Sequence, residues 1–267
     1  MPNPLVTCLV VTHNHEAFIE RALDSIGRQV LDRPFEIVVA DDSSSDATLD
    51  IVERWARSHS GEVRILPREA RLGITRNYQR AFAECRGEFI AVLEGDDEWL
   101  TSEKLSLLTR PLRDDPTLAM AGNYTSMVDE SDGSETLLPD ESPRMRRLDI
   151  LELSRGNVFS TFSACLYRTT AVMAIRPETY ELLAYDWLVN LSVLLRGDAV
   201  LIPEVLTMYR RHAGGVWSAK TQQQRDEQVR DILPGYMALF EPPVSDSLNE
   251  MYQYFVATLG PANRNEP

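Results

Sequence analysis

Arg86-Gly-Glu-Phe-Ile-Ala-Val-Leu-Glu-Gly-Asp-Asp-Glu-Trp99 is the stretch of sequence that decides the fold. Its apolar centre, residues 89–93, has the length and composition of a strand that is buried on both faces of a sheet. Similar strands are predicted at residues 5–11, 35–40 and 63–66, and each of these three is followed by apolar residues at helical spacing. Four units of a strand followed by a helix, within about 110 residues, predict an α/β fold with a Rossmann-like, mostly parallel sheet flanked by helices.

Three carboxylates, those of Glu94, Asp96 and Asp97, directly follow this strand. In an open parallel sheet the carboxyl ends of the strands lie along one edge, where ligands bind. Crowded carboxylates repel one another and need a cation, and oxygen ligands suit Mg²⁺ or Mn²⁺. Because such metals are held by one or two carboxylates together with substrate phosphates, we expect a metal-bound diphosphate here. The alternative is that Asp96 or Asp97 only caps a helix that begins near Thr101.

The second half of the chain is expected to add further elements after a polar connection. Residues 129–147 are rich in Asp, Glu, Ser and Pro, which predicts a surface loop. Beyond this loop the pattern predicts helices near residues 148–155 and 182–195, and strands near residues 159–167, Val200 and Leu206. Residues 219–267 are predicted to form a mostly helical C-terminal tail that packs back on the body.

The composition excludes several classes of function. The net charge is −14, and a surface of this sign repels phosphate backbones and anionic lipid, so general nucleic-acid binding is disfavoured. Cys8, Cys85 and Cys165 are widely spaced among apolar residues, which indicates buried thiols in a reduced protein. No signal peptide and no run of about 20 apolar residues is present. We therefore expect a cytoplasmic protein without a transmembrane segment, and loose association with a membrane stays open.

Four motifs occur in a fixed order along the first hundred residues. They are Val10-Val-Thr-His-Asn14, Val38-Val-Ala-Asp-Asp-Ser-Ser-Ser-Asp-Ala-Thr48, Leu72-Gly-Ile-Thr-Arg-Asn77 and Leu93-Glu-Gly-Asp-Asp97. In this order and spacing they resemble the family 2 glycosyltransferases of the GT-A fold, and the resemblance extends over residues 5–218. It implies a metal-dependent enzyme that transfers a sugar from a nucleotide diphosphate sugar, such as a UDP- or dTDP-sugar, to a hydroxyl group with inversion at the anomeric carbon.

The resemblance also implies how the chain is organised. A GT-A glycosyltransferase domain would occupy residues 1–218, with a nucleotide-binding half at 1–100 and an acceptor-binding half at 101–218. The helical extension at 219–267 would follow it.

Matching positions assign the nucleotide-binding residues. The resemblance implies that Asp41 accepts a hydrogen bond from the nucleotide base and that Thr12 and Asn14 line the same pocket. Without the family, Asp41 and Asp42 are also residues that favour turn formation and helix capping. The family role and the turn role are therefore alternatives for these carboxylates.

Positive charge near the donor is assigned to Arg71 and Arg76, which lie where these enzymes bring charge towards it. Either arginine also suits a solvated position that flanks a helix. In the acidic motif the resemblance implies that Asp96 contacts the ribose and that Asp97 is the direct metal ligand. Glu94 departs from the family pattern, in which an Asp is usual, and its role stays open.

Met208-Tyr-Arg-Arg-His-Ala-Gly-Gly-Val-Trp-Ser218 resembles a late Tyr-Arg-x-His segment of the family, a flexible loop that closes over the donor diphosphate. Arg210 and Arg211 suit phosphate contact, and a neutral His212 can coordinate metal. A surface loop with incidental basic residues is the alternative. No role is assigned to the other histidines, which are His13, His15 and His59.

The catalytic base is assigned to Asp186, in Ala184-Tyr-Asp-Trp-Leu-Val-Asn-Leu191. It stands at the head of an apolar helix, where the family carries its catalytic carboxylate. Inverting transfer needs a base because the acceptor hydroxyl must lose a proton as it attacks the anomeric carbon. The alternative is that Asp186 only caps the helix.

Other functions are weighed against this interpretation. A sugar-phosphate nucleotidyltransferase would carry a Gly-rich, basic loop directly after the first strand, and residues 12–15 are not such a loop. No G-x-G-x-x-G follows a strand, which disfavours a dinucleotide-dependent oxidoreductase. A catalytically inert nucleotide-sugar-binding or assembly partner protein is the alternative. The sequence leaves the acceptor open between a glycan, a lipid-linked sugar and a natural product.

Overall fold

The computed structural model describes residues 4–67, 70–183 and 185–261 of the chain. The described residues include ten strands, all joined in a single sheet. Their bounds are β1 Val6–Thr12, β2 Phe35–Asp41, β3 Glu62–Ile65, β4 Phe89–Glu94, β5 Glu98–Trp99, β6 Leu118–Asp129, β7 Glu135–Leu138, β8 Arg146–Leu148, β9 Cys165–Arg168 and β10 Asp198–Arg211.

The same residues include nine α-helices and two 3₁₀ turns. The helices are α1 Ile19–Gly27, α2 Thr48–Ser58, α3 Ile74–Ala83, α4 Lys104–Asp114, α5 Ile150–Ser154, α6 Thr169–Met173, α7 Asp186–Leu194, α8 Gln222–Met237 and α9 Val244–Leu259, and the 3₁₀ turns are Phe162–Ala164 and Pro177–Glu181. Helix α1 illustrates why these segments fold as they do. Its residues Ile19, Ala22, Leu23 and Ile26 recur at helical spacing and are fully buried.

The strand order is β3-β2-β1-β4-β9-β6-β10-β5, with β7 on β6 and β8 on β10. Strands β3, β2, β1 and β4 pair in parallel, as do β6 and β10. Every antiparallel pair includes a strand that follows β4 in the chain. The predicted Rossmann-like, mostly parallel sheet flanked by helices is confirmed, and β4 lies where the parallel half meets the mixed half.

The core has two layers, one on each face of the sheet. Side chains of β1 alternate between them, with Leu9 and Val11 in the layer of α3, α5 and α7, and Cys8 and Val10 in the layer of α1, α2 and α4. The tail helices α8 and α9 join the first layer through Tyr236 and other apolar side chains. The prediction that the tail packs back on the body is therefore confirmed for residues 222–259, whereas 262–267 lie outside the described residues.

Several predicted elements of the second half differ from the structure. Residues 198–211 form one strand instead of two, because the Pro203-Glu204 pair is accommodated by register shifts against β6. The predicted strand near 159–167 begins only at Cys165, after a 3₁₀ turn. The predicted loop at 129–147 contains β7 and the start of β8.

Two expectations from the composition can also be compared with the structure. The three cysteines are buried and carry free thiols, as predicted. Within the described ranges, no helix combines the length and the apolar character that a membrane span requires.

Candidate active site

The carboxyl ends of β1, β2 and β4 meet at one edge of the sheet. Thr12 pairs with Asp41 of β2, and Val11 pairs with Glu94 of β4. The predicted convergence of polar residues at this edge is confirmed. The candidate active site is therefore built on the ends of three neighbouring parallel strands.

The turn after β2 holds the side chains of Asp41 and Asn14. Asp41 is 1% exposed, and its carboxylate accepts hydrogen bonds from Ser44 N at 3.0 Å and Ser44 Oγ at 2.5 Å. The Asn14 Oδ1 atom accepts a hydrogen bond from Ser45 N at 2.8 Å. Asn14 has a φ of 57°, a left-handed conformation that Asn tolerates. The contacts of Asp41 match the turn alternative, and base recognition by Asp41 and the place of Asn14 in the nucleotide pocket stay predictions.

Asp42 organises the loop before α3. Its two carboxylate oxygens accept hydrogen bonds from Leu72 N at 2.7 Å and Gly73 N at 2.9 Å. Arg71, which precedes Leu72, is exposed in this loop. Arg76 is exposed on α3, where it contacts Gln79 Oε1 at 2.9 Å. The structure therefore leaves both arginines in solvated positions beside the edge, and their contact with a donor stays a prediction.

Gly95 lies in close contact with Thr12 and His15. A Cβ atom at Gly95 would lie 2.5 Å from Thr12 Oγ1 and 2.8 Å from His15 Nδ1, so that only glycine fits without displacement. Thr12 is 2% exposed, and its Oγ1 atom lies 3.2 Å from His15 Nδ1. Thr12 therefore orients His15, a residue to which the sequence assigned no role.

Asp96 lies between two histidines that come from distant parts of the chain. Its Oδ2 atom is 3.1 Å from His212 Nε2 and 3.6 Å from His15 Nε2. Burial opposes ionisation of Asp96, but the hydrogen bond with His212 and the charges of both histidines hold its pKa below the ordinary value. The same hydrogen bond raises the pKa of His212, whereas burial lowers the pKa of His15. The cluster supplies one carboxylate and two imidazoles.

Asp97 is held on the opposite side of the motif. It is 1% exposed, its Oδ1 atom accepts a hydrogen bond from Arg210 N at 3.0 Å, and its Oδ2 atom lies 3.2 Å from Thr161 Oγ1. Burial, followed by the charge of Asp96, raises the pKa of Asp97 to about 7. His212 thus contacts Asp96, whereas Asp97 is hydrogen-bonded to Arg210, and the metal role of Asp97 and His212 stays a prediction.

Arg210 and Arg211 belong to β10, so the prediction of a flexible loop from Met208 is wrong for residues 208–211. The reason is that this strand keeps its pairing with β6 up to Arg211. Arg210 is 5% exposed and donates to Asp96 O at 3.0 Å and to Glu130 Oε1 at 2.8 Å. Arg211 forms an ion pair with Asp129 at 3.3 Å. Only His212 and the residues after it leave the strand.

Glu94 lies between the two halves of the site. Tyr78 Oη donates to its Oε1 atom at 3.3 Å, and Thr161 Oγ1 donates to its Oε2 atom at 2.9 Å. Burial, followed by the charges of Asp97, Asp96 and Asp186, raises the pKa of Glu94 well above its ordinary value. Glu94 is therefore within electrostatic range of both the acidic motif and the predicted base.

Asp186 is the first residue of α7, and the capping position is occupied by Tyr185. Its Oδ1 atom accepts a hydrogen bond from Trp187 N at 2.9 Å, and its Oδ2 atom accepts one from Asn157 Nδ2 at 2.9 Å. Burial raises the pKa of Asp186 to about 6. The carboxylate is thus tuned towards neutral pH, as a general base should be.

The sequence predicts no individual role for three polar residues of the site, namely His15, Asn157 and Thr161. A histidine three residues after a strand end is a signal that could have identified His15. Asn157 and Thr161 act through the fold of the second half, and no local pattern distinguishes them from ordinary loop residues.

The described residues include no group of three or more His, Cys, Asp and Glu side chains arranged to hold a metal on their own. A two-ligand site of Asp96 and His212 still fits a divalent ion, because substrate phosphates supply the other oxygens in such sites. A cavity of about 560 Å³ lies elsewhere, at the amino ends of β2 and β3, where it is lined by Phe35 and Glu62. Ligands of open α/β sheets bind at the opposite ends of the strands, so we place the site at the acidic edge.

Comparison with known proteins agrees with this placement. A model of the family "Glycosyl transferase family 2" matches residues 7–176. The putative glycosyltransferase EpsH of Bacillus subtilis is 28% identical over 218 residues, which are 79% of this chain and 57% of EpsH. The chain thus spans less than two thirds of that relative. It likewise spans 63% of an uncharacterised protein of Mycobacterium tuberculosis.

Solved structures show the same fold. S. aureus TarS in complex with UDP-GlcNAc has a TM-score of 0.70 at 21% identity, over 95% of this chain and 73% of that one. The mannosyltransferase PcManGT from Pyrobaculum calidifontis, in complex with GDP-Man and Mn²⁺, has a TM-score of 0.66 at 19% identity, over 95% and 70% of the two chains. The fold is that of the GT-A glycosyltransferases. Because the family model matches well over half of the chain, the protein belongs to glycosyl transferase family 2.

Proposed function

We propose that this protein is a metal-dependent and inverting glycosyltransferase, and that it transfers a sugar from a UDP- or dTDP-sugar to a hydroxyl of its acceptor. The observation that carries the proposal is that residues 157–161 contact both carboxylate groups, since Asn157 donates to Asp186 and Thr161 donates to Glu94 beside the acidic motif. Asp96 and His212 are therefore proposed for the diphosphate end of one continuous site. Asp186, whose pKa is raised, is proposed for its acceptor end.

Asp186 is the proposed general base. Its pKa of about 6 leaves it mostly ionised at neutral pH, so that it can accept the proton of the attacking hydroxyl. Attack from the face opposite the leaving diphosphate inverts the anomeric carbon. The alternative of a cap alone has less support, because Tyr185 occupies the capping position.

Asp96 and His212 are the proposed ligands of a divalent cation, with His15 beside them. Mixed oxygen and nitrogen donors suit Mn²⁺ better than Mg²⁺, which prefers oxygen alone. When bound, such a cation neutralises charge on the leaving diphosphate. This proposal differs from the assignment predicted from the sequence, in which Asp97 holds the metal, and it is supported by the hydrogen bond that Asp97 accepts from Arg210 N.

The other donor contacts are proposed at the strand edge. Thr12, Asn14 and Asp41 would surround the nucleoside, with Arg71 and Arg76 towards its exposed side. Arg210 would act on the diphosphate from within β10, and Arg211 from its exposed side. UDP-GlcNAc is the donor present in the TarS structure, which favours a UDP-sugar.

The organisation of the chain follows from these roles. Residues 1–100 would bind the nucleotide and 101–218 the acceptor, with 219–267 as a helical extension. The acceptor is a glycan, a lipid-linked sugar or a natural product, and we propose a cytoplasmic enzyme that can associate with a membrane surface.

A thermal-shift titration tests the donor site without knowledge of the acceptor. The wild type and the Asp96→Ala variant are titrated with UDP, dTDP, GDP and CMP, each with and without Mn²⁺, because a ligand of the folded state raises its apparent stability. We expect a Mn²⁺-dependent rise with UDP or dTDP that the variant loses. Asp32→Asn, an exposed carboxylate paired with Arg113, is the control that keeps the rise.

Two further results would contradict the proposal. Absence of any nucleotide shift in the folded wild type would favour an inert partner protein. Retention of the donor's anomeric configuration in the product, observed by NMR, would exclude Asp186 as the base of an inverting transfer.

A further inference from the structure

One short segment, residues 157–163, connects the base to the acidic motif, and we call it the bridge segment. At its first residue, Asn157 Nδ2 donates to Asp186 Oδ2 at 2.9 Å. Near its end, Thr161 Oγ1 donates to Glu94 Oε2 at 2.9 Å, and Ser163 Oγ accepts a hydrogen bond from Glu94 N at 2.9 Å. The segment therefore contacts both ends of the site.

The far end of the bridge segment is held by a buried cation. Lys104 is fully buried, and its Nζ atom donates to Ser163 O at 2.9 Å, Asn123 Oδ1 at 2.6 Å and Thr207 Oγ1 at 2.6 Å. Phe159, within the segment, is also fully buried. Because these contacts fix the segment in the core, the position of Asn157 is set by the fold and not by the ligand.

The side-chain amide of Asn157 uses its nitrogen for the hydrogen bond with Asp186. Its Oδ1 atom is buried and has no hydrogen-bond partner among the described residues. The opposite orientation of the amide would place that oxygen against a carboxylate oxygen, which repels it. A buried acceptor without a partner costs stability, so this arrangement does not serve the fold.

We propose that Asn157 is a positioning residue for the base, whose amide fixes the Asp186 carboxylate so that its remaining lone pairs face the acceptor hydroxyl. This inference rests on the proposed role of Asp186. Trp187 N holds Oδ1 and Asn157 Nδ2 holds Oδ2, so both oxygens are oriented before the acceptor binds. Such preorganisation removes the cost of orienting the base during the reaction.

Asn157 also favours the charged form of the base. Burial raises the pKa of Asp186, and the hydrogen bond from Asn157 opposes this rise. The titratable groups in electrostatic range of Asp186 are Glu94 on β4, Tyr78 on α3, Cys165 and Tyr167 on β9, Tyr185 before α7 and Tyr236 on α8. All six have raised pKa values, so the tyrosines and the cysteine stay neutral near pH 6. Among the described residues these groups include no cation, and the amide of Asn157 is the side chain that favours ionisation of Asp186 through a hydrogen bond.

The test compares wild type, Asn157→Ala and Asn157→Gln, with Asn249→Ala as a control at an exposed asparagine. Asp186 is titrated by ¹³C NMR of labelled aspartate carboxyls, with Asp186→Asn to assign its signal. We expect Asn157→Ala to titrate at higher pH than the wild type. Asn157→Gln, if its amide reaches the carboxylate, restores part of the difference.

Activity supplies the second readout. We measure hydrolysis of the UDP-sugar that the thermal-shift titration selects, as release of UDP over a range of pH. The rate should fall about tenfold in Asn157→Ala, and the acidic limb of its pH profile should move upwards. The melting temperature and the Mn²⁺-dependent UDP shift should match the wild type.

An unchanged titration and an unchanged pH profile in the folded Asn157→Ala variant would overturn the inference. This outcome differs from failure of the proposed function, in which the wild type itself shows no nucleotide shift. If Asn157→Ala does not fold, Asn157→Gln and Asn157→Ser provide the same comparison at nearly the native volume.

Discussion

The Nε2 atom of His212 lies 3.1 Å from the Oδ2 atom of Asp96, although 116 positions separate the two residues. This contact joins the end of β10 to the turn after β4. It also distinguishes two adjacent carboxylates, because Asp97 is bound to Arg210 and Thr161 instead. Asp96 and Asp97 thus have different surroundings, and we expect their variants to differ in metal binding.

Loss of Asp96 or His212 should weaken metal binding more than loss of Asp97. We expect Asp96→Asn and His212→Ala each to reduce Mn²⁺ affinity in the presence of UDP by about tenfold or more, since each removes a direct donor. Isothermal titration calorimetry measures the affinity, and His59→Ala, at the opposite end of the sheet, serves as the control. Normal affinity in Asp96→Asn together with lost affinity in Asp97→Asn would restore the assignment made from the sequence.

Asp186→Asn should abolish transfer and yet stabilise the protein at alkaline pH. The folded state holds a proton on Asp186 up to a pKa of about 6, above the ordinary value of 3.8, so the carboxyl's contribution to stability falls as pH rises through this window. The Asp186→Asn variant has no ionisable carboxyl at this position, so its stability does not fall over this range of pH. We expect it to gain about 1 kcal/mol, or about 2–4 °C, at pH 8 and nothing at pH 3.

Guanidinium unfolding at the two pH values measures this effect. Asp115→Asn is the matched control, because hydrogen bonds from Thr117 lower the pKa of that exposed carboxyl, and its removal should bring no gain at pH 8. Equal stability of wild type and Asp186→Asn at both pH values would show that burial does not perturb the base.

Gly95→Ala should disturb the histidine side of the site. The added Cβ would lie 2.5 Å from Thr12 Oγ1 and 2.8 Å from His15 Nδ1, so His15 must shift away from Asp96. We expect Mn²⁺ affinity to fall severalfold, with a loss of stability of about 1–3 kcal/mol from overpacking. Gly156→Ala, where an added Cβ meets nothing within 4 Å, is the control that should leave affinity unchanged.

Lys104→Ala should destabilise the protein strongly, although Lys104 touches no proposed ligand. Its removal takes a donor from Ser163 O and Asn123 Oδ1, which keep, among the described residues, only Trp99 Nε1 and Thr207 Oγ1 as partners, at a cost of about 1–3 kcal/mol. Urea unfolding measures the loss, and Arg110→Ala, on the exposed side of the same helix, should cost little. A near-neutral Lys104→Ala would mean that the network is replaced by water.

Stability should also depend on pH through Lys104. Burial lowers the pKa of Lys104 to about 7, so the folded state binds fewer protons than the unfolded state between this value and 10.5. The contribution of Lys104 to stability therefore rises with pH over that window. The rise should disappear in the Lys104→Ala variant, as measured by urea unfolding at pH 7 and pH 9.5.

The first half of the fold could be predicted because its signals are local. Strands such as residues 89–93 are continuous apolar runs, and the carboxylates that follow them reach the sheet edge whatever the rest of the chain does. The order of strands in the second half depends on long-range pairing. The pattern predicted separate strands near Val200 and Leu206, and the shifted register against β6 joins them into one.

The site resembles the fold in this respect: its local signals could be predicted from the sequence, and its long-range contacts could not. Residue types and order placed Asp41, Asp96 and Asp186 in one region, but they did not predict that His212 contacts Asp96. That contact depends on packing between β4 and β10, and no spacing along the chain encodes it. Asn157 was missed for the same reason, since its partner lies 29 positions away on α7.

The position of β10 in the chain has a consequence for biosynthesis. Among the described residues this strand is the last of the sheet, and it brings Arg210, with His212 directly after it, to the acidic turn that was translated more than a hundred residues earlier. At about 5–20 residues per second, a nascent chain spends several seconds with β1, β2 and β4 made and β10 still missing. Under the roles proposed for Asp96 and His212, the donor site is therefore completed only late in translation.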